Sequence, residues 1–249
     1  MDEDRDKRIP NRAPAPGEAT SERVRGIFGN IADSYDAFNI LSSMGIDRLW
    51  RRAAVRQARV TRGIRVLDLC AGTGDLALAL ARRDLAREVV GSDFSPEMLA
   101  VAERKAARRR PGSPVRFLVA DAQLLPFADG SFDVVTVAFG VRNLPDRAAN
   151  FSEVYRVLKP GGRYVILEFS RPPFAPWRML YHFYLRVVIP RLGGTLSGGD
   201  RESFQYLNDS ILRFPAQPEL SAELRRAGFG AIDWMNLTGG IVAIHTAVK

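Results

Sequence analysis

Short apolar runs, each favouring a strand, follow one another between residues 64 and 170 of the chain. Most are separated by segments whose apolar residues recur at helical spacing. Apolar character on both faces of the runs is typical of parallel strands covered by helices. Strands are expected at residues 64–70, 88–94, 115–121, 132–140 and 163–170, and helices at 74–85, 95–109 and 147–162.

Capping residues mark the ends of two of these helices. Ser95 followed by Pro96 is a typical helix start, with the serine as N-cap and the proline in the first turn. Pro160 and Gly161 predict the end of the helix that starts at residue 147.

Both ends of the chain differ from this alternating part. Residues 1–21 are charged and rich in proline, which predicts a disordered tail. Helical spacing over residues 22–62 predicts an N-terminal helical lid. Residues 171–214 form an insertion rich in aromatic residues, which we expect to cover a substrate. Near the C-terminus, two strand-like runs joined across residues 238–240 predict a hairpin.

Composition narrows the class of protein. At 249 residues, with 46% hydrophobic and 26% charged residues, the chain suits one domain, expected at residues 22–249. The single cysteine excludes a disulfide framework and a cysteine zinc cluster, and no metal is expected. With no signal-like apolar core, the prediction is a cytoplasmic protein. The net charge of +8 fits nucleic acid, an anionic membrane surface or a solvated arginine-rich surface.

The stretch "VLDLCAGTGD" places two glycines directly after a predicted strand. Such a turn, followed by a helix, binds nucleotides or nucleosides at the edge of a sheet. The turn lacks the lysine of a phosphate-binding P-loop and the third glycine of a dinucleotide fingerprint. Asp75 would also repel a pyrophosphate at the helix N-terminus. The turn, with Gly72 and Gly74, therefore favours S-adenosylmethionine (SAM), a nucleoside without phosphates.

Carboxylates end three successive predicted strands. Asp68 is placed to hold the methionine ammonium group, and Asp93 to accept the ribose hydroxyls. Asp121 is placed to accept the adenine amino proton, while the backbone N–H of Ala122 meets a ring nitrogen. Each aspartate alone is equally typical of a helix cap or a turn. Together, beside a glycine turn, they predict a SAM site.

The sequence also indicates which class of molecule accepts the methyl group. After the fourth strand, "FGVRNLPD" stands where nucleic-acid amino methyltransferases have an Asx-Pro-Pro-aromatic motif. The only cysteine lies in the glycine turn, so methylation at pyrimidine C5 lacks its nucleophile. No nucleic-acid partner is expected. The aromatic insertion, with Arg178, Arg186 and Arg191, fits either a membrane interface or a lid packed on the core.

Several stretches together resemble the ubiquinone/menaquinone biosynthesis C-methyltransferases, a branch of the class I SAM-dependent enzymes. The resemblance runs from about Val24 to the C-terminus. "GTGD" and "LKPGG" are common to many methyltransferases, whereas "FGVRN", "SILRFP" and "NLTGGIVAIH" are more specific. The other matching stretches are "VRGIFGNIADSYD", "GIDRLWRR", "LDLCAGTGD", "DAQLLPF", "RVLKPGGRYVILEFS" and "YLNDSILRFPAQ".

The resemblance implies a fold and a cofactor site. The fold is α/β and Rossmann-like, a seven-stranded, mostly parallel sheet with an antiparallel C-terminal hairpin and helices on both faces. SAM contacts are implied at Thr73, Asp93, Asp121 and Ala122. The chain departs from the family pattern at three positions, which hold Cys70, Ala138 and Phe204.

The implied reaction is C-methylation of a reduced polyprenyl quinone precursor. Demethylmenaquinol is the expected acceptor, with the benzoquinol of ubiquinone biosynthesis open. A hydrogen-bond donor at the ring oxygen would favour the quinol anion, and Arg142 and Asn143 are the expected catalytic residues. Alternatively, Arg142 pairs with a carboxylate and Asn143 caps a turn. A transient, peripheral membrane association is expected, and a homodimer stays open.

Two other functions fit the same residues. One is SAM-dependent methylation of another small apolar acceptor, such as a sterol or a polyketide. The other is a non-catalytic SAM-fold subunit of a quinone-biosynthesis complex. The general base stays unassigned, with His182, His245 and Tyr206 as weak candidates.

Overall fold

The computed structural model describes residues 36, 39–40, 43–108, 114–189 and 201–249. The predicted tail over residues 1–21 and most of the predicted lid before residue 43 lie outside these described residues. No helix in the described part of the chain is both long enough and apolar enough to cross a membrane.

The centre of the molecule is one seven-stranded sheet. Its strands lie in the order β3-β2-β1-β4-β5-β7-β6. The pairs β1–β2, β1–β4, β2–β3 and β4–β5 are parallel, whereas β7 runs antiparallel to both β5 and β6. This topology confirms the predicted sheet and hairpin. The strands are β1 (Arg65–Leu69), β2 (Glu88–Asp93), β3 (Val115–Val119), β4 (Phe132–Ala138), β5 (Leu158–Phe169), β6 (Gly230–Leu237) and β7 (Val242–Val248).

Seven described helices accompany the sheet, together with shorter 3-10 segments at 141–143 and 238–240. The fifth helix continues as a π-helical turn over Tyr184–Val188. The helices are α1 (Asp47–Gln57), α2 (Asp75–Ala81), α3 (Pro96–Ala107), α4 (Arg147–Val157), α5 (Ala175–Phe183), α6 (Arg201–Arg213) and α7 (Gln217–Arg226).

Two apolar layers cover the sheet, one on each face. On one side α1 and α2 bury side chains such as Trp50 and Leu80 against the strands. On the other side α4 and α7 bury side chains such as Phe151 and Leu224. Because the central parallel strands β1, β2, β4 and β5 bury residues on both faces, the apolar runs of the sequence correctly predicted a covered parallel sheet.

The end of α4 differs from the sequence prediction. Ser95 caps α3 as expected, since its side chain accepts from the backbone N–H of Met98. However, α4 ends at Val157, and β5 already begins at Leu158, so the prediction that Pro160 and Gly161 close the helix was wrong. The backbone of Gly161 instead donates to the carbonyl of Lys249 at 2.9 Å, which holds this segment extended at the end of the sheet.

The aromatic insertion has two faces. Its inner face packs Tyr181, Leu185 and Ile211 into a small apolar cluster that Phe169 and Ile241 extend to the sheet. The outer face of α5 and its N-cap leaves four large apolar side chains more than half exposed. They are Phe174, Met179, Leu180 and Phe183.

The tip of the C-terminal hairpin joins two helices. Trp50 of α1 donates from Nε1 to Oγ1 of Thr238 at 2.8 Å. Trp177 of α5 donates from Nε1 to the carbonyl oxygen of the same threonine at 3.2 Å. A Cβ at Gly239 would lie 2.5 Å from the Trp177 nitrogen, so the close approach requires glycine. Both helices are therefore attached to the last hairpin of the chain.

Candidate functional site

An open cleft of about 800 Å³, counting solvent at its mouth, lies at the carboxyl ends of strands β1 to β4. Ligands bind at this edge in open α/β sheets. Five of the predicted site residues line it, namely Gly72, Asp93, Asp121, Ala122 and Asn143. The rest of its wall is largely apolar and is formed by Cys70, Phe94, Met98, Ala120, Gln123, Ala138, Phe139, Gly140, Leu144 and Pro145.

Asp93 organises the turn as well as facing the cleft. Its Oδ2 accepts from the backbone N–H of Gly72 at 2.8 Å, and its Oδ1 accepts from that of Ser95 at 2.9 Å. Burial raises the pKa of this carboxyl, while these bonds oppose the shift. A carboxylate has about four acceptor positions, so capacity for ribose hydroxyls remains. The sequence predicted the ligand contact but not this support of the turn.

Asp68 lies beneath the turn and is only 1% exposed. Its Oδ1 accepts from the hydroxyl of Thr136 at 2.6 Å. Its Oδ2 is buried without a hydrogen-bond partner in the described part of the chain. Burial raises the pKa of Asp68 from 3.8 to about 7. A buried acceptor of this kind fits a cationic group, such as the ammonium of SAM.

The two predicted glycines have different roles. Gly72 lines the cleft with a φ of +54°, and a Cβ there would meet nothing within 4 Å. Gly74 does not line the cleft. Its φ is +81°, and a Cβ would lie 2.8 Å from Cβ of Ala102 and 2.9 Å from the ring of Phe117. Gly72 therefore leaves room for a ligand, whereas Gly74 lets α2 and α3 approach each other.

The hydroxyl of Thr73 is directed to a polar cluster beside the cleft. It donates to Oδ1 of Asp36 at 2.6 Å. Lys105 joins the cluster from α3, with Nζ 2.6 Å from carboxylate oxygens of both Asp36 and Asp75 and 3.1 Å from the Thr73 hydroxyl. The cluster connects Asp36 to the glycine turn. The implied contact between Thr73 and SAM stays a prediction.

The expected adenine contacts lie together at the far end of the cleft. Asp121 is exposed, and its Oδ1 accepts from the backbone N–H of Gln123 at 2.8 Å. Ala122 is buried, and its carbonyl accepts from Nδ2 of Asn150 at 2.7 Å. This loop is thus held in place from below while the carboxylate of Asp121 faces the opening.

Arg142 has the carboxylate partner that the alternative interpretation expected. Its Nη1 lies 2.9 Å from Oε1 of Glu168, and the two side chains are almost fully buried. The backbone N–H of Arg142 also donates to Glu168, at 3.2 Å. Burial raises the pKa of Glu168, and the arginine opposes that shift. Arg142 does not line the cleft, so it lies behind the wall as one half of a buried ion pair.

Asn143 does line the cleft, next to this pair. Its Oδ1 accepts from the hydroxyl of Tyr206 at 3.2 Å, and its Nδ2 donates to the carbonyl of Phe139 at 3.4 Å. Tyr206 comes from α6, so the insertion contributes directly to this end of the cleft. The side chain of Phe204, one of the three positions at which the chain departs from the family pattern, lies outside the part of the chain that the structure describes.

Sequence reasoning missed three features, two in the cleft wall and one behind it. Cys70 and Phe139 follow β1 and β4 with φ values of +50° and +59°, uncommon for residues with side chains and typical of functional sites. Nothing in the sequence signals this backbone conformation. Glu168 was also missed, although one charged residue inside the apolar run "YVILEF" indicates a buried, paired charge.

Neither histidine lines the cleft. His245 is buried, with Nε2 3.0 Å from the carbonyl oxygen of Gln217, as expected of a structural hydrogen bond. Burial and nearby arginines lower the pKa of His182, which lies on α5. The structure supplies no reason to assign either as the base.

Comparisons with known proteins agree with this geometry. The model of the ubiE/COQ5 methyltransferase family matches residues 17–249. A demethylmenaquinone methyltransferase of Thermus thermophilus is 49% identical over 88% of this chain and 98% of its own length. The ubiquinone/menaquinone biosynthesis C-methyltransferase UbiE of Geobacter sp. strain M21 is 43% identical over 92% of this chain and 97% of its own length.

A solved structure resembles the chain at the level of the fold. It is a SAM-dependent methyltransferase of Thermotoga maritima, described as a possible histamine N-methyltransferase. It superimposes with a TM-score of 0.64 at 21% identity, covering 90% of this chain and 98% of its own. At this identity the likeness bears on the fold alone, and it agrees with the sheet described above.

Proposed function

Since the chain belongs to the ubiE/COQ5 methyltransferase family, we propose that it methylates a ring carbon of reduced demethylmenaquinone. It is a SAM-dependent C-methyltransferase of menaquinone or ubiquinone biosynthesis. The Thermus relative, named for demethylmenaquinone, supports a naphthoquinol acceptor. Relatives named for both quinones make the benzoquinol precursor of ubiquinone the second candidate.

The observation that carries the proposal is the pairing of acidic groups and apolar walls in one cleft. Asp93 and Asp121 provide acceptors for a nucleoside, and the buried free oxygen of Asp68 fits its ammonium group. The apolar wall beyond them, including Phe139, suits a flat ring without charge. Asn143 adds an amide to the same lining.

The chemistry requires electron density on the acceptor ring. When bound, SAM supplies an electrophilic methyl group on a sulfonium. A quinone ring is electron-poor, whereas a hydroquinone or its monoanion carries density on the carbon beside the oxygen. Apolar walls exclude water from the ring and strengthen every electrostatic interaction inside the cleft.

Asn143 and Arg142 favour the quinol anion in different ways. Asn143 reaches the cleft and is oriented by Tyr206, so its amide is the donor we assign to a ring oxygen. Arg142 acts from behind the wall, held by Glu168 and by the carbonyl of Phe139. Because Glu168 balances its charge, Arg142 is a positioning residue that fixes the wall segment carrying Phe139 and Asn143.

The exposed face of α5 supports a peripheral membrane association. Four large apolar side chains on this segment lack cover in the described structure, while its inner side packs on the core. An amphipathic helix with this distribution rests in the membrane interface. A polyprenyl quinol is dissolved in the bilayer, so the helix would bring the cleft to its substrate.

Methyl transfer from labelled SAM to demethylmenaquinone, with and without a strong reductant, tests the proposal. We expect labelled lipid only under reduction. Equal labelling under both conditions would contradict the quinol mechanism. Transfer to a sterol or a polyketide but not to the quinol would support the other acceptor class, and binding of SAM without any transfer would support a non-catalytic subunit.

Variants of the cleft test the residue roles. Asn143→Ala should lower kcat about tenfold through loss of one hydrogen bond to a developing charge, with affinity for S-adenosylhomocysteine unchanged. Arg142→Lys should lower kcat as well, because an ammonium group cannot replace the guanidinium against Glu168 and Phe139. Full turnover in either variant would refute its role. Ser152→Ala, at an exposed position of α4, is the control.

A further inference from the structure

A second groove, distinct from the cleft, lies on the face of the sheet that α1, α2 and α3 cover. Six cationic and three acidic side chains line it, together with a few apolar ones. We call it the basic groove. Its cationic residues are Arg48, Arg51, Arg52, Arg82, Lys105 and Arg108.

The acids of the basic groove are already paired. Asp75 lies 2.6 Å from Nζ of Lys105 and 3.9 Å from Nε of Arg51. Asp36 pairs with the same lysine at 2.6 Å, and Asp47 pairs with the same arginine at 3.6 Å. These pairs hold the floor of the groove and leave its acids little capacity to neutralise further cations.

Four arginines around the rim remain without such partners. Each is exposed, and none of their guanidinium groups makes a hydrogen bond or an ion pair to a described residue. Two lie on α1, and the other two directly follow α2 and α3, so they spread over a surface and do not converge on one point. That spread suits an extended anionic surface better than a single small anion, which needs converging donors. The four are Arg48, Arg52, Arg82 and Arg108.

Apolar side chains accompany these arginines. Ile40 lines the groove and is 37% exposed. Met44 and Leu49, on either side of the α1 N-terminus, are 78% and 57% exposed. Aliphatic side chains interleaved with arginines are typical of surfaces that rest among lipid headgroups. A surface for single-stranded nucleic acid would instead present aromatic rings for stacking.

The basic groove and the outer face of α5 belong to neighbouring elements. Leu49 adjoins Trp50 on α1, and Trp50 and Trp177 of α5 bind the same threonine at the hairpin tip. The helix that carries Arg48 and Arg52 is therefore held next to the helix with the exposed apolar face.

We propose that the basic groove binds the anionic headgroups of a phospholipid bilayer while α5 rests in the interface. The proposal deepens the membrane association proposed above and depends on it. In this arrangement α5 supplies apolar contact with any bilayer, and the arginines supply a preference for anionic lipid. Each arginine near an anionic surface raises partition about fivefold, so two of them contribute roughly a 25-fold factor.

Co-sedimentation with vesicles tests the proposal on the full chain. Phosphatidylcholine vesicles are compared with vesicles that also contain phosphatidylglycerol, at about 0.1 M and about 1 M salt. Arg52→Gln/Arg82→Gln should lower partition onto anionic vesicles roughly 25-fold. Arg52→Glu/Arg82→Glu should lower it further, because each glutamate also repels the anionic surface. Thermal unfolding of each variant checks that it is folded.

A matched control lies on the opposite face of the sheet. Arg225 and Arg226, in the last turn of α7, are both exposed. The variant Arg225→Glu/Arg226→Glu changes the net charge by the same amount as Arg52→Glu/Arg82→Glu, and it should keep the anionic preference. Equal loss in both glutamate variants would show that only net charge matters, and would overturn the proposal.

Other outcomes separate this proposal from the ones on which it rests. Wild-type protein that binds both kinds of vesicle equally would overturn the role of the basic groove and leave the α5 proposal intact. Release by inorganic phosphate at constant ionic strength would identify a free-anion site instead, and tighter binding of duplex DNA through the same arginines would identify nucleic acid. Methyl transfer to a short-chain quinol in detergent should be unchanged in the arginine variants. This assay does not depend on membrane binding, so it tests the proposed reaction independently of the basic groove.

Discussion

Replacing Asp68 by asparagine removes a titrating carboxyl from beneath the glycine turn. Burial raises the pKa of Asp68 from 3.8 to about 7, and its Oδ2 lacks a partner in the described part of the chain. If the ionised form binds the ammonium of the cofactor, affinity falls tenfold for each pH unit below that pKa. S-adenosylhomocysteine should therefore bind roughly 100-fold more weakly at about pH 5 than at about pH 8.

Titration calorimetry with S-adenosylhomocysteine over this pH range measures the effect. Asp68→Asn should bind weakly with a flat pH profile. Thr136→Val removes the 2.6 Å hydrogen bond that lowers the pKa of Asp68, so its profile should shift to higher pH. Asp84→Asn is the control, because Asp84 is exposed and its φ of +52° suits asparagine. Affinity of the wild type that does not change with pH would refute the reasoning.

The same carboxyl makes the free protein sensitive to pH. The pKa of Asp68 is higher in the folded state than the ordinary value of 3.8. The protonated carboxyl therefore contributes its full share to the free energy of unfolding below pH 3.8, and this share is lost as the pH rises through about 7. Unliganded Asp68→Asn should therefore be more stable than the wild type at about pH 8, by at most ~4 kcal/mol. Urea unfolding at acidic and alkaline pH gives this difference, and equal stabilities at pH 8 would count against a buried, titrating Asp68.

Three further substitutions test the packing around the site. Gly91→Ala would place a Cβ 2.6 Å from the ring of Phe117, so we expect a loss of about 1–3 kcal/mol in urea unfolding; an unchanged midpoint would contradict the close approach. Trp50→Phe removes the 2.8 Å hydrogen bond to Thr238 and should cost about 1 kcal/mol, while proteolysis of α1 becomes faster; unaltered cleavage would contradict the link. Lys105→Met breaks the partly exposed polar cluster and should weaken S-adenosylhomocysteine binding only a few-fold, since such pairs contribute about 1 kcal/mol or less. A loss as large as that of Asp68→Asn would contradict this ranking.

Local chemistry explains what the sequence predicted correctly. Parallel strands bring their carboxyl ends to one edge, so residues directly after separate strands meet there whatever lies between them. That rule predicts that Asp93, Asp121 and Ala122 lie together, and all three line the cleft. The C-terminal hairpin could be predicted equally well, because the strand-like pattern of its residues and the two glycines of its turn belong to one short stretch of sequence.

Features that depend on distant residues were not predictable in the same way. Arg142 meets Glu168 across two neighbouring strands, and Lys105 meets Asp36 and Asp75 from three separate segments. No periodicity encodes such pairings. The wrong position of the end of α4 has the same origin, since strand pairing and the hydrogen bond from Gly161 to Lys249 hold residues 158–161 extended where the local sequence predicted further helix.

The strand order has a consequence for synthesis of the chain. Strand β7 leaves the ribosome after the other six strands of the sheet, yet it lies between β5 and β6. Until it emerges, one edge of β5 presents unpaired backbone groups, and such edges pair readily with other chains. Chains that terminate early should therefore aggregate even though β1 to β5 and the cleft residues they carry are complete. The seven-residue strand β7 completes the sheet and protects the nascent protein from other copies of itself.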